Sequence, residues 1–384
     1  MFFAALVFFA GIAFSGPPHF SPDTTYYLGL ASDLQTNPSG VVLNTKKATW
    51  TVLVLPALLA ILQRIAPEWW PYVFVGVNAV ALAFVTALLH RVVHVVTSSA
   101  VAALVAVAFQ LLCYDFVSWV RFILTDMIYA VLAMAALAIT LLGIVSDRRE
   151  SRRRVRLAAV VAVAFITRAS GAILVPMAVF SEWWAHGRPT GRFGARRLAP
   201  WVVLLVIGVA GITTRAWFYA DISRWPVAFL RPILTEYAER EQTGEVVWGR
   251  TETFHEPPET TVDHVLIQLD RFIRFFQFTA DGYSSRHNLI NVFYYVPLYA
   301  LALLGLVDGL WGTNDLRRRI VAVTAAWIAA TAWLHALTVL DFDWRYRLPV
   351  LPYLIVLAAC GVEAIARRAV RPADKNAVAL GGGR

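Results

Sequence analysis

The segment FILTDMIYAVLAMAALAITLLGIV, residues 122–145, contains a single charged residue, Asp126, in a run of mostly aliphatic side chains. A helix needs about 20 apolar residues to cross the hydrocarbon layer of a bilayer, where its backbone groups can bond only within the helix. This segment therefore predicts a membrane-crossing helix. Comparable apolar runs recur along the chain, at residues 1–15, 72–90, 95–113, 157–184, 199–218, 289–311, 320–340 and 348–366.

The overall composition agrees with a membrane protein, because 59% of the residues are hydrophobic and 15% are charged. An ordinary soluble domain carries about 25% charged residues. The net charge of +9 does not indicate a nucleic-acid partner, because the arginines are concentrated in short loops between apolar runs. Cytoplasmic loops of membrane proteins carry this excess of basic residues. The loops predicted to be cytoplasmic are 147–156, 186–197, 315–319 and the tail from 367.

Two of the apolar runs are not predicted to cross the membrane as a single helix. The run at 50–65 is short, contains Pro56 and ends in Gln63-Arg64, which favours an interfacial helix on the outer leaflet. Basic loops flank both ends of the run at 157–184, so this run must reverse, and the sequence TRASG with Arg168 can supply the turn. We therefore predict an all-α integral membrane fold with about ten transmembrane helices and both termini inside.

This topology predicts a single membrane domain over residues 1–384. The first external loop, 16–71, contains interfacial helices, and a larger external soluble loop spans 219–288. Two short segments, 114–121 and 341–349, also lie outside. The candidate chemical groups are thereby collected on the external side of the membrane.

The first candidate group lies in GPPHFSPDTTYYLGLASDL, residues 16–34. Ser21 can cap a helix, Pro22 suits its first position, and Asp23 is favoured near the positive end of the helix dipole. A purely structural role as a helix start explains these residues equally well. The position of Asp23 in an external loop of an apolar protein is what makes it a candidate for chemistry.

The second candidate group lies in CYDFVSWVRFILTD, residues 113–126. Asp115 falls in an external loop, and Asp126 falls at the outer end of the following helix. A carboxylate near lipid is costly unless it faces a cavity or a partner. Arg121 is close enough in sequence to be that partner, and a plain salt bridge between Arg121 and Asp126 is the simplest interpretation.

The third candidate group is DFDWRYRLPVLPYL, residues 341–354. Arg345 and Arg347 lie at the start of the last apolar run, against the usual excess of basic residues on the inner side. Arginine forks suit phosphate oxygens held at a membrane surface. Arginines at a helix end also extend towards lipid headgroups with no further role. We favour a ligand-binding role for Arg345 and Arg347.

The larger external loop contains no glycine-rich phosphate cradle and no metal-ligand spacing. Its histidines, at 255, 264 and 287, are too scattered to be assigned as ligands. The segment VDHVLIQLDRFIRFFQF, residues 262–278, has apolar side chains at helical intervals with charges between them. It predicts another helix lying on the membrane.

In this order, the segments resemble the GT-C class of membrane glycosyltransferases, which includes the protein O-mannosyltransferase and aminoarabinose transferase families. The resemblance covers most of the chain. It comprises a first span, PDTTYYLGLASDL, a proline-bearing interfacial helix, paired spans, and then ILTDMIYAVLAMAALA, TRASGAIL and RYRLPVLPYL. Enzymes of this class use lipid-phosphate-linked sugars. The resemblance therefore implies a hexosyl- or pentosyltransferase in the inner (plasma) membrane, with its active site facing outside.

The resemblance also implies roles for the candidate residues. It makes Asp23 the catalytic base, Asp115 and Asp126 positioning groups, and Arg345 and Arg347, with Arg168, the ligands of the donor phosphate. The donor would be a polyprenyl-phosphate-linked sugar and the acceptor a glycan, lipid or protein hydroxyl. The first loop has a lone acid at this position where relatives have an adjacent pair. No cofactor is therefore assigned, and a divalent metal is left open.

Two other classes remain open from the sequence. A transporter or lipid flippase would carry internal repeats and broken helices at the membrane midplane, and no convincing repeat is visible. A non-catalytic subunit with a GT-C-like fold would have the same composition as an enzyme. The sequence does not distinguish such a non-catalytic subunit from a glycosyltransferase.

Overall fold

The computed structural model describes residues 1–39, 52–146, 151–186, 240, 242–337 and 345–381. Within these ranges the chain is helical and forms no β-strand. The predicted all-α fold is confirmed for this part of the chain. The helices are α1 Phe2–Ala13, α2 Pro22–Thr36, α3 Val54–Ile65, α4 Trp70–Thr97, α5 Ala100–Leu112, α6 Tyr114–Trp119, α7 Asp126–Ser146, α8 Ser151–Thr167, α9 Leu174–His186, α10 Thr261–Phe275, α11 Ser285–Trp311, α12 Asp315–Ala336 and α13 Leu351–Gly381.

Four of these helices, α4, α7, α11 and α12, are long and apolar enough to cross a membrane, by length and composition. They indicate a membrane-embedded protein, but they are fewer than the ten crossings predicted. Helices α1, α3 and α5 are apolar but have 12, 12 and 13 residues. At 1.5 Å per residue they span about 18–20 Å, less than the hydrocarbon thickness of about 30 Å. The crossing predicted at 199–218 lies outside the described residues.

The run at 95–113 shows how the difference arises. Ser98 ends α4 in a left-handed backbone conformation, with φ of 53°. The Ser99 hydroxyl then caps α5 by accepting from the Ala102 backbone N–H at 3.2 Å. The prediction of one uninterrupted crossing over 95–113 is therefore wrong, because hydropathy detects apolar side chains but not a two-residue break between helices.

The predicted reversal within residues 157–184 is confirmed. Helices α8 and α9 run antiparallel, because Glu182 near the end of α9 pairs with Arg153 at 2.5 Å and Arg154 at 3.2 Å near the start of α8. A 3-10 turn, Ala169–Ile173, joins the two helices. Only glycine fits at Gly171, since a Cβ atom there would collide with the Ala164 carbonyl group. This turn places Arg168 at one end of the hairpin.

Helix α2 begins as predicted. The Ser21 hydroxyl accepts from the Thr24 backbone N–H at 3.2 Å, and the Thr24 hydroxyl accepts from the Ser21 backbone N–H at 3.0 Å. This reciprocal pair satisfies two donors that the helix end leaves open. Pro22 occupies the first turn and needs no partner for its nitrogen. Asp23 is thereby presented at a well-capped helix start.

Helix α3 packs on α2 around a small core that is separate from the main one. The apolar members of this core are Ala31, Leu55, Leu59, Leu62, Phe74 and Ile123. Helix α3 is therefore a short helix that packs on α2 and, through Phe74, on the first turns of α4. Its predicted place at the outer leaflet stays a prediction.

Helices α11 and α13 make the most extensive contact between helices in the described chain. Two glycines allow the backbones to approach. A Cβ atom at Gly305 would collide with the Leu357 carbonyl oxygen, and one at Gly361 would collide with the Leu301 carbonyl oxygen. Small residues serve this purpose in membrane helices, where close packing rather than apolar burial holds helices together.

Replacing Gly305 by alanine is expected to destabilise the protein by about 1–3 kcal/mol, because the added methyl group forces two backbones apart. The matched control is Gly11→Ala in α1, where a Cβ atom meets nothing within 4 Å. That change is expected to be neutral or to stabilise by about 0.5–1 kcal/mol through helix propensity. Thermal unfolding of the purified variants in detergent measures both. Equal effects of the two substitutions would contradict the close approach of α11 and α13.

Candidate functional site

The acid of the first predicted external loop contacts an arginine from the other end of the chain. The Asp23 carboxylate lies 2.6 Å from the Arg345 guanidinium. Asp23 is held by the start of α2, and Arg345 opens a 3-10 turn, Arg345–Arg347, that precedes α13. The Asp23 side chain is 44% exposed and the Arg345 side chain is 14% exposed. This ion pair therefore faces solvent on its acidic side.

The second pair joins Asp126, the first residue of α7, to Arg168 at the hairpin turn. The Asp126 side chain is 2% exposed. The predicted salt bridge between Asp126 and Arg121 is therefore wrong. Residues 121–123 bond to His19, with the Arg121 carbonyl accepting from His19 N–H at 2.9 Å and Ile123 N–H donating to the His19 carbonyl. This connection places the Arg121 side chain beside Gly16. Asp126 pairs with Arg168 of the hairpin instead.

The third pair joins Asp115 in α6 to Arg347, at 3.0 Å. Arg347 also donates to the Gln277 carbonyl oxygen, and Tyr295 of α11 donates its hydroxyl to the Asp115 carboxylate. The Tyr295 ring lies 4.3 Å below the Arg347 guanidinium. Only 2% of the Arg347 side chain is exposed. This pair is therefore enclosed and held from several sides.

Tyr346 connects the first two pairs. Its ring lies 4.7 Å from the Arg168 guanidinium and 5.7 Å from that of Arg345. The His335 ring stacks on it at 4.6 Å, and Phe275 stacks on His335 in turn. The three consecutive residues 345–347 thus each contact one part of the site. The six predicted site residues therefore form three pairs, each of one aspartate and one arginine, around the turn at 345–347.

Sequence reasoning did not assign a role to the aromatic residues of the site. Tyr346 lies within the quoted RYR motif, and Tyr27 lies within the quoted TTYY stretch, so both carried a local signal. Tyr295 carried none, because it is one of many aromatic residues in an apolar run. Its position opposite Asp115 depends on the packing of α11 against α6, which no local pattern predicts.

Burial and neighbouring charges set the ionisation of the site outside the candidate spans. Burial opposes the charge on Arg347, but the Tyr295 hydroxyl and the Asp115 carboxylate outweigh this effect and raise the pKa of Arg347 above its ordinary value. Burial also raises the pKa of the Tyr27 hydroxyl. Arg168 opposes this increase, and Asp126 and Asp23 add to it. Arg347 is therefore a permanent cation, and Tyr27 stays a hydrogen-bond donor at neutral pH.

Arginine forks bind phosphate and carboxylate oxygens through paired hydrogen bonds, so the three guanidinium groups are the groups of the site able to bind an anionic ligand. Arg345 and Arg347 belong to one turn, and Arg168 lies beside Tyr346 of that turn. Each guanidinium group is balanced by a carboxylate. In the described part of the chain, no three histidine, cysteine, aspartate or glutamate side chains come together as a metal site. Each predicted carboxylate faces a guanidinium group instead.

An apolar groove of about 630 Å³ lies between α8 and α9. It contains none of the six site residues, although Phe165 at one end lies three residues from Arg168. Acidic and basic groups occur only at its other end, where Arg154 and Glu182 pair. Since a binding site for a charged ligand needs charged groups that face it, the site described above is the better candidate for chemistry.

Comparison with protein-family models, with curated proteins and with solved structures gives no match to this chain. The class of protein therefore follows from the structure alone. The described residues form an all-helical, membrane-embedded protein in which three acid–arginine pairs surround the turn at 345–347.

Proposed function

We propose that this protein is a glycosyltransferase of the GT-C type, which moves a sugar from a polyprenyl-phosphate donor to an acceptor hydroxyl on the external side of the inner (plasma) membrane. The proposal includes one domain over residues 1–384. One observation carries it. Residues 23, 115, 126, 168, 345 and 347 form three pairs around a single turn, and the partners in each pair lie at least 42 residues apart in sequence.

The proposed reaction is a single displacement that inverts the sugar. The acceptor oxygen forms a bond to the anomeric carbon as the bond from this carbon to the phosphate oxygen breaks. The bonding electron pair leaves with the polyprenyl phosphate, and the hydroxyl proton moves to a carboxylate. The transition state is expected to resemble an oxocarbenium ion, as in glycoside hydrolysis. The protein must therefore supply a proton acceptor and a stabiliser of the leaving phosphate.

Exposure supports Asp23 as the proton acceptor. Its side chain is 44% exposed, against 16% for Asp115 and 2% for Asp126. A base must lie within hydrogen-bond reach of an acceptor that arrives from solvent. Asp115 and Asp126 are enclosed with their arginines and suit a positioning role.

Arg345 is the best placed of the three arginines to contact the donor phosphate. Its carboxylate partner is the solvent-exposed one, whereas Arg347 and Arg168 hold enclosed carboxylates. Arg347 and Arg168 are balanced by their carboxylates and hold the turn in position. The negative charge that grows on the leaving oxygens would then form beside the Arg345 guanidinium, which lowers the energy of the transition state.

The test is a transfer assay with the purified protein in lipid nanodiscs. Polyprenyl-phosphate donors that carry labelled arabinose or mannose are incubated with glycan, lipid and peptide acceptors. The expected result is labelled acceptor together with released polyprenyl phosphate. A transporter or flippase would instead move the intact labelled donor between leaflets of a vesicle without forming either product. Failure to form product from any donor would contradict the proposal.

Replacing Arg345 by glutamine is expected to lower the transfer rate by about 10²–10³-fold, because a charged donor aimed at the leaving oxygens is lost. The matched control is Arg64→Gln, which removes an exposed arginine from α3 in the same predicted external loop as Asp23. That variant is expected to transfer at the wild-type rate. A rate for Arg345→Gln within about threefold of the control would remove Arg345 from the proposed site.

A further inference from the structure

The three acid–arginine pairs differ in how easily they can separate. Arg347 is bound by Asp115 and the Gln277 carbonyl oxygen and lies over the Tyr295 ring. Asp126 is buried with Arg168, so parting them would leave a buried charge, which is costly. Asp23 alone can be solvated when it leaves its arginine, because nearly half of its side chain already faces solvent. The Arg345 side chain is 14% exposed, so leaving it without an anion would be costly. The pair is therefore expected to open when another anion takes the place of Asp23 on Arg345.

Both partners of the exposed pair are anchored independently of each other. Asp23 sits in the first turn of α2, which is held by its capping box and by the Thr24 hydroxyl donating to the Ile123 carbonyl oxygen at 3.0 Å. Arg345 belongs to the same 3-10 turn as the enclosed Arg347 and lies beside the Tyr346 ring. Rotation of the two side chains is therefore expected to separate the charges without movement of either helix.

We propose that the donor phosphate exchanges with Asp23 on Arg345, so that binding of the lipid phosphate itself releases the base. This inference rests on the proposed function. The phosphodiester of the donor carries one negative charge, as a carboxylate does, and offers two unesterified oxygens to a guanidinium fork, so it competes with Asp23 for Arg345. The displaced Asp23 carboxylate then has its oxygens free to accept a proton from the acceptor hydroxyl. The base is withheld until the donor is in place, and the donor binds before the acceptor reacts.

The exchange has a consequence that a fixed structural salt bridge does not have. Removing the Asp23 carboxylate should strengthen binding of a lipid phosphate, because Arg345 loses the group that competes for it. The probe is geranylgeranyl phosphate in phosphatidylcholine nanodiscs, with its dissociation constant measured by titration. Asp23→Asn and Asp23→Ala are each expected to bind it about three- to tenfold more tightly than the wild type, as suits the loss of a weak, partly exposed pair.

Matched variants define the effect. Asp33→Asn removes an exposed carboxylate from the same helix and is expected to bind like the wild type. Arg345→Gln is expected to bind at least tenfold more weakly, and adding Asp23→Asn to it should restore nothing. Geranylgeraniol, which lacks the phosphate, should bind all variants equally. Inorganic phosphate should bind far more weakly than the lipid, which distinguishes a lipid-borne phosphate from a free one.

Several results would overturn the exchange. If both Asp23 variants bound the lipid phosphate as tightly as the wild type or more weakly, with unaltered thermal unfolding, the contact between Asp23 and Arg345 would be a fixed structural salt bridge. Equal strengthening for geranylgeraniol would show that the phosphate is not involved, and no binding of geranylgeranyl phosphate by the wild type would also end the proposal. Because this probe carries no sugar, the exchange can fail while transfer is observed. It can equally hold while the transfer assay fails, so the two proposals are tested separately.

Discussion

The Asp23→Asn variant is expected to transfer sugar about 10²–10⁴-fold more slowly than the wild type, because an amide cannot accept the proton of the acceptor hydroxyl. The loss should appear in kcat. If the exchange on Arg345 also holds, the KM for the donor should fall rather than rise, since the competing carboxylate is gone. A lower kcat with a lower donor KM is an uncommon combination, and loss of structure alone does not produce it.

The comparison uses initial rates of labelled product formation at several donor concentrations. Asp33→Asn is the control, because it makes the same chemical change on an exposed residue of α2. It is expected to leave both kinetic constants unchanged. Should Asp23→Asn transfer sugar as fast as Asp33→Asn, Asp23 is not the base. The next carboxylate to test would then be Asp115, which is the second most exposed of the three.

Replacing Arg168 by methionine is expected to destabilise the protein by about 3–5 kcal/mol, because it leaves the Asp126 carboxylate buried without its cation. The variant also loses the guanidinium that lies over the Tyr346 ring. The free energy of unfolding of the purified protein in detergent measures this cost. Transfer activity is expected to fall as well, since Tyr346 lies between the two pairs.

Two further variants test whether the loss of stability comes from the buried, unpaired Asp126 carboxylate or from the loss of any arginine of the hairpin. The double change Asp126→Leu/Arg168→Met removes both charges and is expected to recover most of the lost stability, because a buried ion pair is often replaceable by apolar side chains. Arg154→Met removes an exposed arginine of the same hairpin that pairs with Glu182 and should cost no more than about 1 kcal/mol. A double variant as unstable as Arg168→Met would show that the stability loss does not come from the stranded carboxylate.

Local patterns predicted the local features of the site. The capping residues of α2 follow from Ser21 and Pro22, because these side chains act within one helical turn. The reversal at Arg168 follows from the basic loops on both sides of one apolar run. The candidate acids and arginines were also identified from the sequence, since charges beside apolar runs are rare and need a reason.

The partners of these charges were not predictable in the same way. Asp126 was assigned to Arg121, its neighbour in sequence, but it pairs with Arg168, 42 residues away. Asp115 and Arg347 are 232 residues apart. Pairings over such separations depend on how helices pack, and a single sequence carries no direct record of that packing.

The amino-acid sequence by itself determined that the chain is helical and apolar, where several helices begin, and which polar residues are unusual in that setting. These properties depend on side-chain type and on spacing within one turn of a helix. Only the tertiary structure decided that one apolar run is broken at Ser98, which acid meets which arginine, and which of the three pairs remains open to solvent. Those properties depend on contacts between helices that are remote in sequence, where shape and burial rather than local pattern select the partner.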